Sequence, residues 1–331
     1  MKKYLIAESY GLGDKLYTDA IVKELLRLPD TEKIAIIVSK AGGNLKMPFY
    51  DGRVELYPFV FAWNRRRGQR NPVRLLGSII TPRMKLGKKF SGYEGLCPRG
   101  DLWQYILLKL LGANPVISYK FSRGETFIER ILGWSKEPVM DARTSFARMV
   151  SDGLVPHSQF LREDNASKRS GEVFLAPEAS AQKRELEESK WIEISRELKR
   201  MGWKPILVVH SNTVVKPVNY GEFSEVLDLP VLKLIERAQG VEFAIAVDSF
   251  IGHLLAACGA KVVSIFGPQR PDIWAPAAGD LRIVSKRFPC SPCNKELAEC
   301  PYYAKGGNCM QSIVAKDVLE AFFDLAGRET P

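Results

Sequence analysis

The sequence predicts an α/β protein built from two doubly wound domains, each a parallel sheet covered by helices on both faces. Three observations predict it. Apolar runs of strand length alternate with segments of helical periodicity, a polar stretch near mid-chain interrupts the alternation, and the alternation then starts again. With 331 residues, 46% of them hydrophobic, the chain is long enough for two domains of about 100–200 residues each.

In the first half, "KKYLIAES" is an apolar run that stops before Gly11, and "DKLYTDAIVKELLRL" places Leu16, Ala20, Ile21, Leu25 and Leu28 on one helical face. "KIAIIVSK" and "VELYPFV" are further strands, and their alternation with helix implies parallel pairing. From Ser151 to Gly171 the segment "SDGLVPHSQFLREDNASKRSG" is polar and lacks a sustained apolar period. This places the domains at 1–160 and 171–331. In the second half "EVFLAP", "KPILVVH", "FAIAVDS" and "KVVSIFG" are strands; "WIEISRELKRMG", "VLKLIERAQG" and "HLLAACG" are the intervening helices. The closing "QSIVAKDVLEAFFDLAG" puts Val314, Val318, Leu319, Phe322 and Phe323 at the spacing of a packed amphipathic helix.

Composition narrows the function. No run approaches the ~20 apolar residues of a membrane span, and the N-terminus turns polar too early for a signal peptide, so a cytoplasmic protein is expected. A net charge of +10 favours an anionic partner: nucleic acid, a phosphorylated glycolipid or a membrane surface.

Three groups of residues suggest chemistry. In "ESYGLGDKLYTDA" a glycine-rich turn joins strand to helix, but Leu16 stands where a dinucleotide fingerprint needs its third glycine, which argues against a nicotinamide enzyme. Asp14 remains, suited either to accept a proton from a bound hydroxyl or to cap the helix. In "LAPEASAQKRELEESKWIEI", Ser180, Gln182, Lys183 and Lys190 lie near a helix N-terminus, which suits a phosphate, although a solvated charged loop would have the same composition. In "AVDSFIGHLLAACGAKVVSIFGP", Asp248 and Ser249 end a strand and His253 follows one helical turn later, so all three can surround one ligand; a purely structural histidine is the alternative.

These segments, with the tail "CSPCNKELAECPYYAKGGNCMQSI", resemble the ADP-heptose:lipopolysaccharide heptosyltransferases of glycosyltransferase family 9, over nearly the whole chain and most specifically in its second half. The resemblance implies the GT-B fold, two Rossmann-like domains facing across a cleft. It also implies an inverting transfer from a nucleotide-sugar donor, ADP-heptose, with no catalytic metal. Asp14 matches the family's general base, the Ser180–Lys190 loop its donor-phosphate region, and Asp248, Ser249 and His253 its D-[ST]-G-x-x-H donor site. Two positions depart from the pattern: Phe250 replaces the glycine, and Lys190 adjoins Trp191 where the family's lysine lies two residues before it.

From Trp63 to Phe90 there are nine Arg and Lys residues and no Asp or Glu. In the acceptor-side domain this suits an anionic glycolipid or the inner face of the membrane, each basic residue contributing ~1 kcal/mol of attraction at a charged surface. Arg65, Arg66 and Arg67 are the acceptor-binding candidates; interleaved aromatics are too sparse for single-stranded nucleic acid. Cys290, Cys293, Cys300 and Cys309 have the spacing C-x2-C-x6-C-x8-C, compatible with structural zinc or iron, or with reduced thiols. Comparable cysteines occur in the family, where some protein-glycosylating relatives are thought to hold iron. The sequence therefore implies a glycosyltransferase acting on a lipopolysaccharide core or related glycoconjugate. A protein acceptor, or a catalytically silent sugar-nucleotide or glycan-binding protein, are the alternatives.

Overall fold

The computed structural model describes residues 1–62, 72–100, 102–118, 150, 158–209, 220–293, 299–302 and 307–327. They form two compact units, Met1–His157 and Ser158–Pro331.

The first unit contains β1 (Lys2–Glu8), α1 (Leu12–Arg27), β2 (Thr31–Ser39), α2 (Lys40–Gly43), β3 (Val54–Phe59), α3 (Pro72–Leu86), β4 (Glu94–Cys97), α4 (Leu102–Leu110) and β5 (Val116–Ser118). Its strands run in the order β3-β2-β1-β4-β5, every pair parallel. β1 is central, and Leu5, Ile6 and Ala7 are wholly buried because helices cover both faces. On one face Ile21, Val22 and Leu25 of α1 pack on Tyr4, Ile6, Ile34 and Ile36. On the other, Leu107 and Leu108 of α4 with Ile79 of α3 pack on Leu5, Ala7 and Ala35.

In the second unit the chain forms β6 (Arg169–Ala176), α5 (Glu188–Arg200), β7 (Lys204–Val209), β8 (Glu225–Asp228), α6 (Val231–Ala238), β9 (Val241–Val247), α7 (Phe250–Ala257), β10 (Lys261–Phe266), α8 (Pro271–Trp274), β11 (Leu281–Ser285) and α9 (Ala315–Ala326). The order is β11-β10-β9-β6-β7-β8, again all parallel. Trp203, Phe243 and Phe322 stack edge to face at 5.2–5.6 Å and tie α9 to the sheet. Val318, Leu319, Phe322 and Phe323 are buried as their spacing predicts, but Val314 is the N-cap of α9 and 48% exposed. Its N–H is instead bonded to the Asp317 carboxylate at 3.0 Å.

The segment read as a polar linker is partly structural. Phe160 and Leu161 are buried, the Leu161 N–H donates to Ala257 O, and the Arg169 N–H to Gly240 O. Gly240 has φ +77°, and a Cβ there would lie 1.9 Å from the Ser167 carbonyl oxygen, so only glycine lets this segment lie against the second unit. Apolar contact at two residues and backbone bonding anchor a stretch whose composition alone looks solvated.

Both sheets share one property that locates ligands. In an open parallel sheet the crevice lies beyond the strand C-termini, where neighbouring strands send their connections to opposite faces. Here those switch points fall between β1 and β4 in the first unit and between β6 and β9 in the second.

Candidate functional site

At the β1/β4 switch point, β1 ends in buried Glu8 and the chain turns through Gly11, the N-cap of α1. Asp14 is therefore inside the first turn of the helix, and it does not cap it. Its carboxylate is ion-paired with Arg99, which follows β4, and the Arg99 guanidinium lies 3.8 Å over the Tyr10 ring. Arg99 thus fixes the direction of the carboxylate at the strand ends. Gln104 of α4 donates to Ser9 Oγ at 3.0 Å and joins the same two strands.

Glu8 lies beneath Asp14. It accepts from the Tyr10 N–H at 3.1 Å and from the Thr18 hydroxyl at 3.0 Å. Burial, helped by the negative charge of Asp14, pushes its carboxyl up to about 8, against the opposing pull of Arg99. An uncharged Glu8 places no second negative charge against Asp14. The unfolded chain ionises Glu8 near pH 4.5, so between that pH and about 8 the native state binds the extra proton. Stability is therefore full below pH 4.5 and falls as pH rises toward 8, by on the order of 5 kcal/mol. Thermal melts should show this decline in the wild type and a flatter profile in Glu8→Gln; equal slopes would remove Glu8 as its source.

One turn further, Lys15 and Asp19 form a buried ion pair at 2.8 Å, 2% and 0% exposed. Tyr50, preceding β3, donates to Asp19 and accepts from Lys15 Nζ at 3.2 Å. This triad pins the N-terminal half of α1, and with it Asp14, to the chain after β2.

The second unit has a matching site at the β6/β9 switch point. After β6, the loop folds back on itself: the Ala179 N–H donates to the Glu185 carboxylate at 3.0 Å, with a 3-10 turn over Gln182–Arg184 between them. Arg184 spans the crevice, donating to Ser180 Oγ on its own loop and reaching Asp248 Oδ2 at 3.3 Å at the end of β9. Ser180 is therefore brought to Asp248 through Arg184, which the sequence does not single out, while Gln182 and buried Lys183 lie in the same 3-10 turn as Arg184. The run "QKRELEESK" reads as a solvated surface, and nothing in it marks Arg184 from its neighbours.

Ser249 is the N-cap of α7, with extended backbone (φ −151°, ψ 167°) and no side-chain cap bond. Its hydroxyl is buried and without a hydrogen-bond partner, next to the first-turn amides that a helix leaves unused. The His253 N–H donates to Ser249 O at 3.4 Å, so His253 sits one turn above Ser249 on the same side of the helix. Phe250 occupies the first residue of α7 in ordinary helical backbone, so the position demands no glycine for conformation. The first turn of α7 carries no acid. By contrast, α5 begins at Glu188 with Glu187 as its cap, a poor place for an anion. Lys190 in that helix donates to the Gln311 carbonyl at 2.7 Å and neighbours Glu187 at 3.5 Å. It braces the segment before α9, apart from the Arg184 cluster.

Gly267, just after β10, is pressed against the cysteine-bearing tail: a Cβ there would lie 2.5 Å from Met310 and 3.2 Å from Cys309 Sγ. All six cysteines are free thiols, with Cys97 and Cys258 buried. Burial first and then the other three thiols push Cys309 up to about 11, and burial and Cys293 raise Cys290. The four tail thiols thus neighbour one another, yet among the described residues no three His, Cys, Asp or Glu side chains are set to hold a metal ion. Arg65, Arg66 and Arg67 lie outside the described residues. No helix among the described residues is long and apolar enough to cross a membrane.

A cavity of about 760 Å³ between α5 and α9 is a different feature. The arginines lining it are paired, Arg196 with Glu222 at 2.7 Å and Arg200 with Glu197 at 2.6 Å. It offers no unpaired buried group comparable to Ser249.

Comparison with known proteins agrees with the sequence resemblance. Residues 150–304 match the model of glycosyltransferase family 9 (heptosyltransferase). Lipopolysaccharide heptosyltransferase 1 of Pseudomonas aeruginosa PAO1 is 30% identical over 122 residues, 35% of this chain; the match spans about a third (33%) of that relative's length. Among solved structures, E. coli heptosyltransferase WaaC with ADP aligns over 98% of this chain and 99% of its own, with TM-score 0.62 and 15% identity. The iron-containing dodecameric glycosyltransferase TibC of enterotoxigenic E. coli H10407 aligns over 99% of this chain and 77% of its own, with TM-score 0.53 and 15% identity. The likeness shows the fold: two parallel α/β units of the GT-B class.

Proposed function

We propose that this chain, whose residues 150–304 match the model of glycosyltransferase family 9, is an inverting glycosyltransferase. Its donor would be a nucleoside-diphosphate sugar, ADP-heptose by likeness to WaaC and the P. aeruginosa enzyme. Its acceptor would be a hydroxyl of a lipopolysaccharide core or related anionic glycoconjugate at the cytoplasmic face of the inner membrane. The observation that carries the reading is the Ser249 hydroxyl, buried and unpartnered at the N-terminus of α7, beside Asp248 and Arg184. A phosphate oxygen would satisfy that hydroxyl and the first-turn amides together.

In this reading the acceptor oxygen attacks the anomeric carbon as the bond from that carbon to the phosphate oxygen breaks. The nucleoside diphosphate leaves with the electron pair, and the configuration inverts. Asp14 takes the acceptor proton, held in direction by Arg99. The α7 N-terminus and the Arg184 guanidinium oppose the charge that grows on the leaving group, so no resident metal is required.

Ser249→Ala tests it with ADP as the probe. The substitution removes a hydroxyl that is unsatisfied without ligand, so the free protein should melt no lower than wild type. ADP affinity measured by calorimetry should fall roughly tenfold. Unchanged affinity would take the diphosphate away from α7.

A further inference from the structure

Helix α3 presents two apolar faces. Inward, Ile79 is buried, Leu75 and Leu86 pack on the same core, and buried Ser78 accepts from the Ala62 N–H at 2.7 Å and donates to the Arg74 carbonyl at 2.9 Å. Outward, Val73, Leu76, Ile80 and Met84 are 77%, 57%, 42% and 80% exposed. Their spacing of three, four and four residues makes a single stripe along the helix. Arg74 and Lys85 flank the stripe on one side and Arg83 on the other, with Lys88 just beyond the helix end, while Lys89 is engaged with Tyr57 and Glu55. The inward bonds fix the helix, so the apolar stripe is displayed by packing and does not result from fraying.

A helix apolar all round is normally buried, and one with an exposed apolar stripe bordered by Lys and Arg suits the interface of an anionic bilayer. The charge pattern decides among occupants. No Asp or Glu occurs between Trp63 and Phe90, so a second copy of the stripe would meet like charge along its whole border, whereas anionic headgroups would meet complementary charge. We infer that α3 is the membrane-docking element of this protein, lying in the plane of an anionic lipid surface with Val73, Leu76, Ile80 and Met84 inserted among the acyl chains. The inference sharpens the membrane-surface part of the proposed function, and its readout uses neither donor, acceptor nor turnover.

The test is co-sedimentation of the full chain with vesicles of phosphatidylcholine alone and with about 30 mol% phosphatidylglycerol. Wild type should partition onto the anionic vesicles. Val73→Gln/Leu76→Gln/Met84→Gln, all at exposed positions, should lower that partition roughly tenfold at low and high salt alike. Arg74→Gln/Lys85→Gln should lower it by roughly fivefold per charge at low salt, with the deficit shrinking as salt rises. Circular dichroism and thermal melts serve as folding controls for both variants. Absence of wild-type binding, or undiminished binding by the apolar triple variant, would overturn the inference, as would vesicle-independent self-association through the stripe.

Discussion

Asp14→Asn is expected to lower the rate of sugar transfer by about 10²–10⁴, the range a positioned general base contributes, while ADP affinity changes little. The two halves of that expectation come from the separation of roles. Asp14 stands at the β1/β4 switch point of the first unit, paired with Arg99, whereas Ser249, Asp248 and Arg184 stand in the second. Asparagine keeps the shape and can still accept from Arg99, so the fold around α1 should survive. Single-turnover product mass, with donor affinity measured on the same preparation, separates the effects. Full turnover would remove Asp14 from the chemistry, and a parallel loss of ADP binding would recast it as a donor ligand.

Breaking the buried pair beneath the site should have the largest effect on stability. Lys15→Met leaves Asp19 and the Tyr50 hydroxyl without their cation in a place 0% exposed at Asp19, at an expected cost of roughly 3–5 kcal/mol. Lys15→Met/Asp19→Leu removes both charges and should recover much of that loss, because the pair's Coulombic gain is largely offset by desolvation. Urea melts of the wild type, the single and the double variant test this directly. A single variant as stable as wild type would show that the triad does not hold α1 in place.

Most of the central strands were legible because parallel strands covered on both faces must be continuously apolar, as "KKYLIAES", "KIAIIVSK", "FAIAVDS" and "KVVSIFG" are. The short strands were not. "EGLC" of β4 and "EVLD" of β8 have four residues each and no apolar run, and they are set by pairing with a longer neighbour. What escaped at the site follows from this. Asp14 could be singled out from a local strand-turn-helix pattern, but Arg99 lies 85 residues away and arrives only because β4 inserts beside β1. Glu8 was hidden as the last residue of an apolar strand, and its unusual carboxyl depends on tertiary burial.

In the second unit Asp248, Ser249 and His253 can be grouped from the local pattern alone, since strand end and helix start are contiguous in sequence. The helix begins at Phe250, three residues before "HLLAACG", and that shift is what makes Ser249 the N-cap. Lys190 shows the converse. Its charge near a helix N-terminus suits a phosphate, yet its ammonium donates to the Gln311 carbonyl, 121 residues away in sequence.

The central claim is that the β6/β9 switch point receives the diphosphate of an activated sugar. A crystal structure with ADP bound measures it most directly. The account predicts the terminal phosphate within hydrogen-bonding distance of Ser249 Oγ and the first amides of α7, with Arg184 beside it. ADP ordered in the groove between α5 and α9, with Ser249 left unpartnered, would contradict it.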